Sequence, residues 1–143
     1  MDVSELRRKI LRAIDEGKPD DRARRRAQVD TATAAYERFL EVVAVPLFRQ
    51  AQAILKAENR AFTVYAPADG VKLVSDASPS TFLEFALDTS SEQPQVTARV
   101  SRARSRGVTV EEQPLAGGKA IDQLTEDDVA GFFVTEIPKL VRK

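Results

Sequence analysis

The spacing of apolar residues changes at one point in the chain, near Asn59. Before it, apolar side chains recur every three or four residues, which is the period of a helix with one buried face. After it, they alternate with polar side chains, as in strands with one buried face. Helices that precede a run of strands are typical of the α+β class, so we predict an α+β fold.

The first 58 residues are predicted to form two helices. The first carries one apolar face, formed by Val3, Leu6, Ile10 and Ile14. We expect it to end at Gly17-Lys18-Pro19, because glycine often ends a helix and proline cannot continue its hydrogen bonds. The second is expected to start after Asp20 or Asp21 and to run to about Glu58, with a kink or break at Pro46.

The long second helix carries apolar residues on more than half of its circumference. One stripe consists of Tyr36, Leu40, Val43, Leu47, Ala51 and Ile54, and a second, beside it, of Phe39, Val42, Val45, Phe48 and Leu55. A helix that packs on a single layer needs an apolar arc of only about 100° or slightly more. The two stripes therefore need cover on two sides. The sheet and the first helix could supply both, or a second subunit could supply one, and we predict a homodimer.

Residues 61–114 are predicted to form five short strands. Pro67-Ala68-Asp69-Gly70 is one connecting turn, in which we expect Gly70 to take a positive φ. Short connections require antiparallel neighbours, so the strands form a meander with one apolar and one mixed face. A last helix, residues 125–142, opens on a capping box of Thr125 and Asp128, and Pro138 should shorten or kink it. The prediction is one domain over residues 1–143, in the order α-α-β-β-β-β-β-α, with residues 1–58 helical and the helices on the apolar face of the sheet.

Histidine and cysteine are both absent from the 143 residues. These side chains carry most proton transfer at neutral pH, thiol chemistry and transition-metal binding in proteins. An enzyme would have to rely on carboxylates, and those considered are Glu84, Asp88, Glu111 and Glu112. A divalent-metal carboxylate enzyme is the third functional hypothesis, since cross-strand ion pairs with arginine also explain acids on a sheet. We expect no cofactor and no catalytic or metal-binding residue.

Basic residues concentrate near the amino terminus. Residues 1–26 carry nine basic and six acidic side chains, although the whole chain has no net charge. The candidate anion-binding residues are Arg22, Arg24, Arg25 and Arg26, and nucleic-acid binding through them is the alternative functional hypothesis. The interleaved acids favour a simpler interpretation, in which the charges keep a helix face in water.

The solvent side of the predicted sheet carries apolar groups. Strand alternation places Tyr65, Val74 and Phe82 on this side, together with Thr109. Arg99 is expected there opposite Glu84, with Glu111 nearby. Clustered apolar groups on a surface indicate an interface. The candidate interface therefore consists of Tyr65, Val74, Phe82 and Arg99, and the main hypothesis is a non-catalytic module that binds or regulates another protein.

Membrane and secretory segments are not expected from the sequence. The longest strongly apolar stretch, Val42 to Phe48, has seven residues, whereas about 20 are needed to span a bilayer. The first residues lack the apolar core of a secretory signal. We therefore predict a soluble cytoplasmic protein, and the excess of arginine over lysine fits a GC-rich bacterial genome.

Overall fold

The computed structural model describes residues 2–90 and 93–142, with the backbone alone for residues 15–20. Helix α1 spans Val3–Phe39, and a π-helical turn, Leu40–Ala44, joins it to α2, Val45–Ala57. The strands are β1 Phe62–Tyr65, β2 Gly70–Ser75, β3 Phe82–Asp88, β4 Gln95–Arg104 and β5 Gly107–Pro114. Two 3-10 turns, Leu115–Gly117 and Ile121–Gln123, lead to α3, Glu126–Val141. The predicted α+β order is confirmed.

The five strands form an antiparallel meander in the order β1-β2-β3-β4-β5. Leu83 pairs with Leu73 on one side and with Val100 on the other, so a row of apolar side chains crosses the three central strands. These side chains are buried against the helices. Because successive residues of a strand point to opposite faces, the residues between them form the open face of the sheet.

Helix α1 contradicts the predicted boundary at residues 17–19. Its backbone continues through Gly17 and Pro19, so one helix replaces the first predicted helix and the start of the second. Its N-cap is Asp2, and not Asp20 or Asp21. A glycine and a proline cost about 1 and 3 kcal/mol in a helix interior. Since helix extension is cooperative, the good helix formers on either side offset these local costs.

The interruption expected at Pro46 takes the form of the π-helical turn Leu40–Ala44, which ends two residues before this proline, and the backbone stays helical throughout. The N–H of Val45 donates to the carbonyl of Leu40, five residues back. Pro46, which has no N–H, then occupies the first turn of α2, where none is needed. The turn moves the buried stripe by one residue. After Leu40 the buried residues are Ala44, Phe48, Ala51 and Leu55. The first predicted stripe continued with Val43, Leu47, Ala51 and Ile54, whereas Phe48 and Leu55 belong to the second predicted stripe.

Aromatic rings join the helices to the sheet. Phe48 of α2 packs edge-on against Phe85 of β3 and against Phe133 of α3, with ring centroids 5.0 Å apart in both pairs. Phe39 of α1 stacks on Phe85, with centroids 6.1 Å apart. Edge-on and offset arrangements are those that aromatic pairs prefer. The core therefore fixes all three helices against one central strand.

Gly70 begins β2 and does not take the positive φ that its turn position predicted. A Cβ atom at this position would lie 2.8 Å from the carbonyl oxygen of Phe85 on the neighbouring strand. Glycine is thus required here because two backbones approach closely, and not because of a left-handed conformation.

Helix α3 begins as predicted. The Thr125 hydroxyl accepts from the N–H of Asp128, and the Asp128 carboxylate accepts from the N–H of Thr125, which completes the capping box. Pro138 lies inside the helix, which continues to Val141. The cap places the acidic first turn of α3 beside the end of β5.

Candidate interaction surfaces

The four candidate interface residues all lie on the open face of the sheet. Val74 on β2 pairs directly with Phe82 on β3. Tyr65 on β1 pairs with Lys72, and the Lys72 ammonium lies 3.9 Å from the centre of the Phe82 ring. Lys72 therefore connects Tyr65 on β1 with Phe82 on β3 through strand pairing on one side and a cation–π contact on the other. Tyr65 and Phe82 therefore share the face, with β2 between them.

Charged side chains alternate in sign along the row that contains Arg99. Its guanidinium contacts Glu84 and Glu112, with N···O distances of 3.2 and 2.5 Å. The hydrogen bond that Glu112 accepts raises the pKa of Arg99. The predicted Glu84–Arg99 pair is confirmed, whereas Glu111 points to the other face and Glu112 takes its place. Together with Lys72, the row contains two positive and two negative side chains.

Strand β5 adds two valines to the open face that the sequence analysis did not place there. A two-residue turn after Arg104 sets the register in which Ser101 lies opposite Val110. Val108 and Val110 are therefore on the open side, and each is 53% exposed. Thr109 lies on the opposite side, which corrects its predicted position. The length of the turn, together with strand alternation, contained this signal.

The apolar groups of the open face form a strip. Val74, Phe82, Ser101 and Val110 follow one another across four strands. Ser101 is buried within the row, and its hydroxyl donates to the carbonyl of Ser80 at 2.6 Å. We call the residues Val74, Phe82, Val108 and Val110 the sheet strip.

The four candidate arginines do not form one patch. Successive residues of a helix are rotated by about 100°, so Arg22 and Arg26 share a side of α1 while Arg24 points nearly the opposite way. Arg25 is half-buried, and its guanidinium donates to the carbonyl of Thr89 in the loop after β3. One of the four therefore has a structural contact that ties α1 to the sheet.

The carboxylates named as an enzyme hypothesis do not converge. Glu84 and Glu112 both contact Arg99, and Glu111 lies on the other face. The Asp88 carboxylate accepts from the hydroxyl and the N–H of Ser90, at 2.6 and 2.8 Å. These hydrogen bonds lower the pKa of Asp88. Among the side chains that the structure describes, those of residues 2–14, 21–90 and 93–142, no three acidic groups are placed so that they could hold a metal ion.

A groove between α2 and α3 is an apolar surface that the sequence analysis did not find. Its volume is about 460 Å³, and its lining includes Leu47, Ile54, Phe133, Val134 and Ile137. Ile54 and Val134, on its two sides, are 64% and 76% exposed. The helices that form it are far apart in the sequence, so neither stripe alone predicts it. We call it the helical groove.

The first turns of α1 carry a second uncovered apolar surface. Its side chains are between 48% and 80% exposed and are those of Val3, Leu6, Ile10, Leu11 and Ile14. The sequence predicted the apolar face of this helix but not its lack of cover. We call these five residues the N-terminal stripe.

A polar cleft lies between the end of β5 and α3. Glu136 lines it and is only 5% exposed. One carboxylate oxygen accepts from the Gln113 amide and from the Lys139 ammonium, each at 3.4 Å, and the other has no protein partner. The loop on the other wall contains Ala116, whose φ of 52° is unusual for a residue other than glycine. A bound water or another donor group would supply the missing hydrogen bond to the second carboxylate oxygen.

The helices in the described part of the chain are not suited to crossing a bilayer, because none is both long and apolar enough.

No known protein family, curated protein sequence or solved structure shows significant similarity to this chain.

Proposed function

We propose that the protein is a non-catalytic interaction module that binds another protein through the open face of its sheet. The observation that carries this proposal is the sheet strip, in which Val74 and Phe82 form a directly paired unit and two half-exposed valines continue the row on β5. Exposed apolar residues that cluster mark interaction sites more often than scattered ones.

The charges on this face indicate the chemistry of the partner. The row beside the strip contains Lys72, Glu84, Arg99 and Glu112, whose charges cancel. An anionic polymer gains no net attraction from such a row. A protein surface with an apolar centre and a polar rim fits it, because interface cores are apolar and their rims polar.

Three carboxylates of the open face are engaged by neighbouring side chains, which supports a role without chemistry at this face. Glu84 and Glu112 accept hydrogen bonds or ion pairs from Arg99, and Asp88 is engaged by Ser90. The hydrogen bonds from Ser90 lower the pKa of Asp88, so they stabilise its charged form. A catalytic acid or base needs a pKa close to the working pH.

The test compares two variants that each introduce two carboxylates, one within the sheet strip and one away from it. Val108→Glu/Val110→Glu changes the sheet strip. Thr109→Glu/Gln123→Glu, at one position on the opposite face of β5 and one exposed position in the turn before α3, is the control. Each tagged protein is purified from its native host, and bound proteins are identified and quantified by mass spectrometry. We expect a stoichiometric partner with the native chain and the two-charge control, and its loss with the Val108/Val110 variant.

Equal recovery of the partner by both variants would contradict the proposal, as would the recovery of nucleic acid in place of a protein. Circular dichroism and thermal melting establish that each variant is folded. Because all the substituted valines are half-exposed, we expect small changes in the unfolding temperature.

A further inference from the structure

Two apolar surfaces of this chain lack a partner within one copy. The helical groove is concave and lies between α2 and α3, and the N-terminal stripe is a convex helix face. Amphipathic helices bind to such grooves through side chains spaced three or four residues apart. Val3, Leu6, Ile10 and Ile14 have this spacing.

The two surfaces cannot meet within one molecule while α1 is continuous. Phe39, near the end of α1, is fixed in the core by its contact with Phe85. At about 1.5 Å per residue, Ile14 lies roughly 37 Å and Val3 roughly 54 Å from Phe39 along the helix axis. The groove begins on the other side of Phe39, at Leu47. Only a second molecule can therefore bring a stripe to the groove.

The N-terminal stripe and the helical groove are similar in length and opposite in net charge. The stripe extends over roughly 16 Å of helix from Val3 to Ile14, and the groove over roughly 12 Å along α2 from Leu47 to Leu55. Residues 2–14 carry four basic and two acidic side chains, whereas the two helices that form the groove, α2 and α3, together carry four acidic and three basic. Opposite net charges favour the encounter of the two helices.

We infer that the protein forms a dimer in which the N-terminal stripe of each copy lies in the helical groove of the other. Reciprocal exchange is compatible with twofold symmetry and closes the assembly, so that neither surface remains uncovered. This dimer leaves the sheet strip free, so it does not depend on the proposed partner-binding role of the sheet.

The absence of cysteine allows a direct test. Ile10→Cys and Val134→Cys each introduce a single thiol, one in the stripe and one in the groove. The two purified proteins are mixed, oxidised and separated on a non-reducing gel. We expect a disulfide-linked dimer in the mixture and little in either protein alone. Arg8→Cys, on the opposite side of α1, replaces Ile10→Cys in the control and should crosslink far less to Val134→Cys.

The other outcomes each overturn the inference and identify what happens instead. Crosslinking of Ile10→Cys with itself would indicate pairing between stripes, and crosslinking of Val134→Cys with itself would indicate pairing between grooves. A double variant that crosslinks only within one chain would show that α1 bends back on its own groove. Absence of crosslinking together with a monomeric mass in light scattering would show that no dimer forms.

A second measurement does not depend on disulfides. Leu6→Glu/Ile10→Glu should weaken dimerisation by about 100-fold or more, because two anchors would become charged. Both side chains are about half-exposed in a single copy, so the folded monomer should persist. An unchanged dimer dissociation constant in sedimentation would contradict the inference.

Discussion

The Tyr36 hydroxyl donates a hydrogen bond to the carbonyl of Asp69, with an O···O distance of 2.9 Å. It also lies 3.4 Å from the carbonyl of Phe85. One buried phenol therefore connects α1 with the turn before β2 and with β3. Beside it, Gly70 leaves the space through which the two strands and the phenol approach one another.

Removing the Tyr36 hydroxyl should destabilise the fold. We expect Tyr36→Phe to lower the free energy of unfolding by about 1–2 kcal/mol, because the Asp69 carbonyl loses its donor. Denaturant titration measures the change. Tyr65→Phe, which alters an exposed tyrosine, is the matched control and should have little effect. Equal losses from both substitutions would mean that the hydrogen bond contributes nothing specific.

A methyl group at position 70 should be harmful for a steric reason. Gly70→Ala places a Cβ atom 2.8 Å from the Phe85 carbonyl oxygen, and we expect a loss of about 1–3 kcal/mol in denaturant titration. Gly131→Ala is the control, since a Cβ atom there has no neighbour within 4 Å and alanine favours a helix. It should stabilise the protein by up to about 1 kcal/mol.

Stability should fall in alkaline solution because of Tyr36. Burial, aided by the charges of Asp69 and Glu84, raises the pKa of Tyr36 well above 10.0. The unfolded chain therefore loses this proton first, and the stabilisation that is complete below about pH 10 decreases as the pH rises further, by up to about 1.4 kcal/mol per pH unit. In Tyr65→Phe, which retains one phenol, phenolate absorbance should appear together with unfolding. Phenolate formation in the folded state would contradict this prediction.

The cap of α3 should respond to acid. The N–H of Thr125, followed by the Lys119 ammonium at 3.0 Å, lowers the pKa of Asp128. The contribution of Asp128 to the stability of the fold is therefore complete above the pKa that this carboxyl group has in the unfolded chain, about 3.9. It is lost as the pH falls through the lower pKa of the folded state. Asp128→Asn should be less stable than the native chain at pH 7 and equally stable in strong acid. A difference that persists in strong acid would exclude this origin.

The ion pairs of Arg99 should contribute little to stability. They are exposed, so we expect Arg99→Ala to cost no more than about 1 kcal/mol at low salt and less at about 1 M salt. Arg102→Ala, on the same strand and the opposite face, is the control. A large loss that salt does not reduce would mean that the packing of the arginine stem, and not its charge, supports the sheet.

Nucleic-acid binding through the N-terminal arginines should be weak. Only Arg22 and Arg26 share a side of α1, and Arg25 contacts Thr89. We expect no detectable binding of duplex DNA at about 50 mM salt in fluorescence anisotropy. Binding that weakens steeply with salt, and whose salt slope decreases in Arg22→Ala/Arg26→Ala, would restore the nucleic-acid hypothesis.

Strand alternation predicted the faces of the sheet where one side is buried. Val74, Phe82 and Arg99 lie on the predicted face because a shift of one residue would expose the apolar partners of the core. The same argument has little force for β5, an edge strand whose residues are largely exposed on both faces. Its register depends on the turn after Arg104, and Thr109 was misplaced for that reason.

Surfaces formed between distant segments could not be predicted from local patterns. The helical groove requires Leu47 and Phe133 to lie close together. In the sequence, however, all five strands lie between α2 and α3. The buried Glu136 gives no signal in the sequence, where it resembles any acid on a helix. The break expected at Pro19 failed for a different reason, since local propensity did not decide where α1 ends.

The π-helical turn sets the rotational phase of α2. Counted at about 100° per residue, an uninterrupted α-helix would direct Leu47 and Ile54, and not Phe48 and Leu55, toward the side that Tyr36 occupies. Because the π-helical turn contains one additional residue, α2 is rotated back by about 100° relative to an uninterrupted α-helix. Core and groove residues thus differ by one position. Deleting one residue from Leu40–Ala44 would remove the additional residue, restore a regular α-helix and leave Phe48 and Leu55 facing the core.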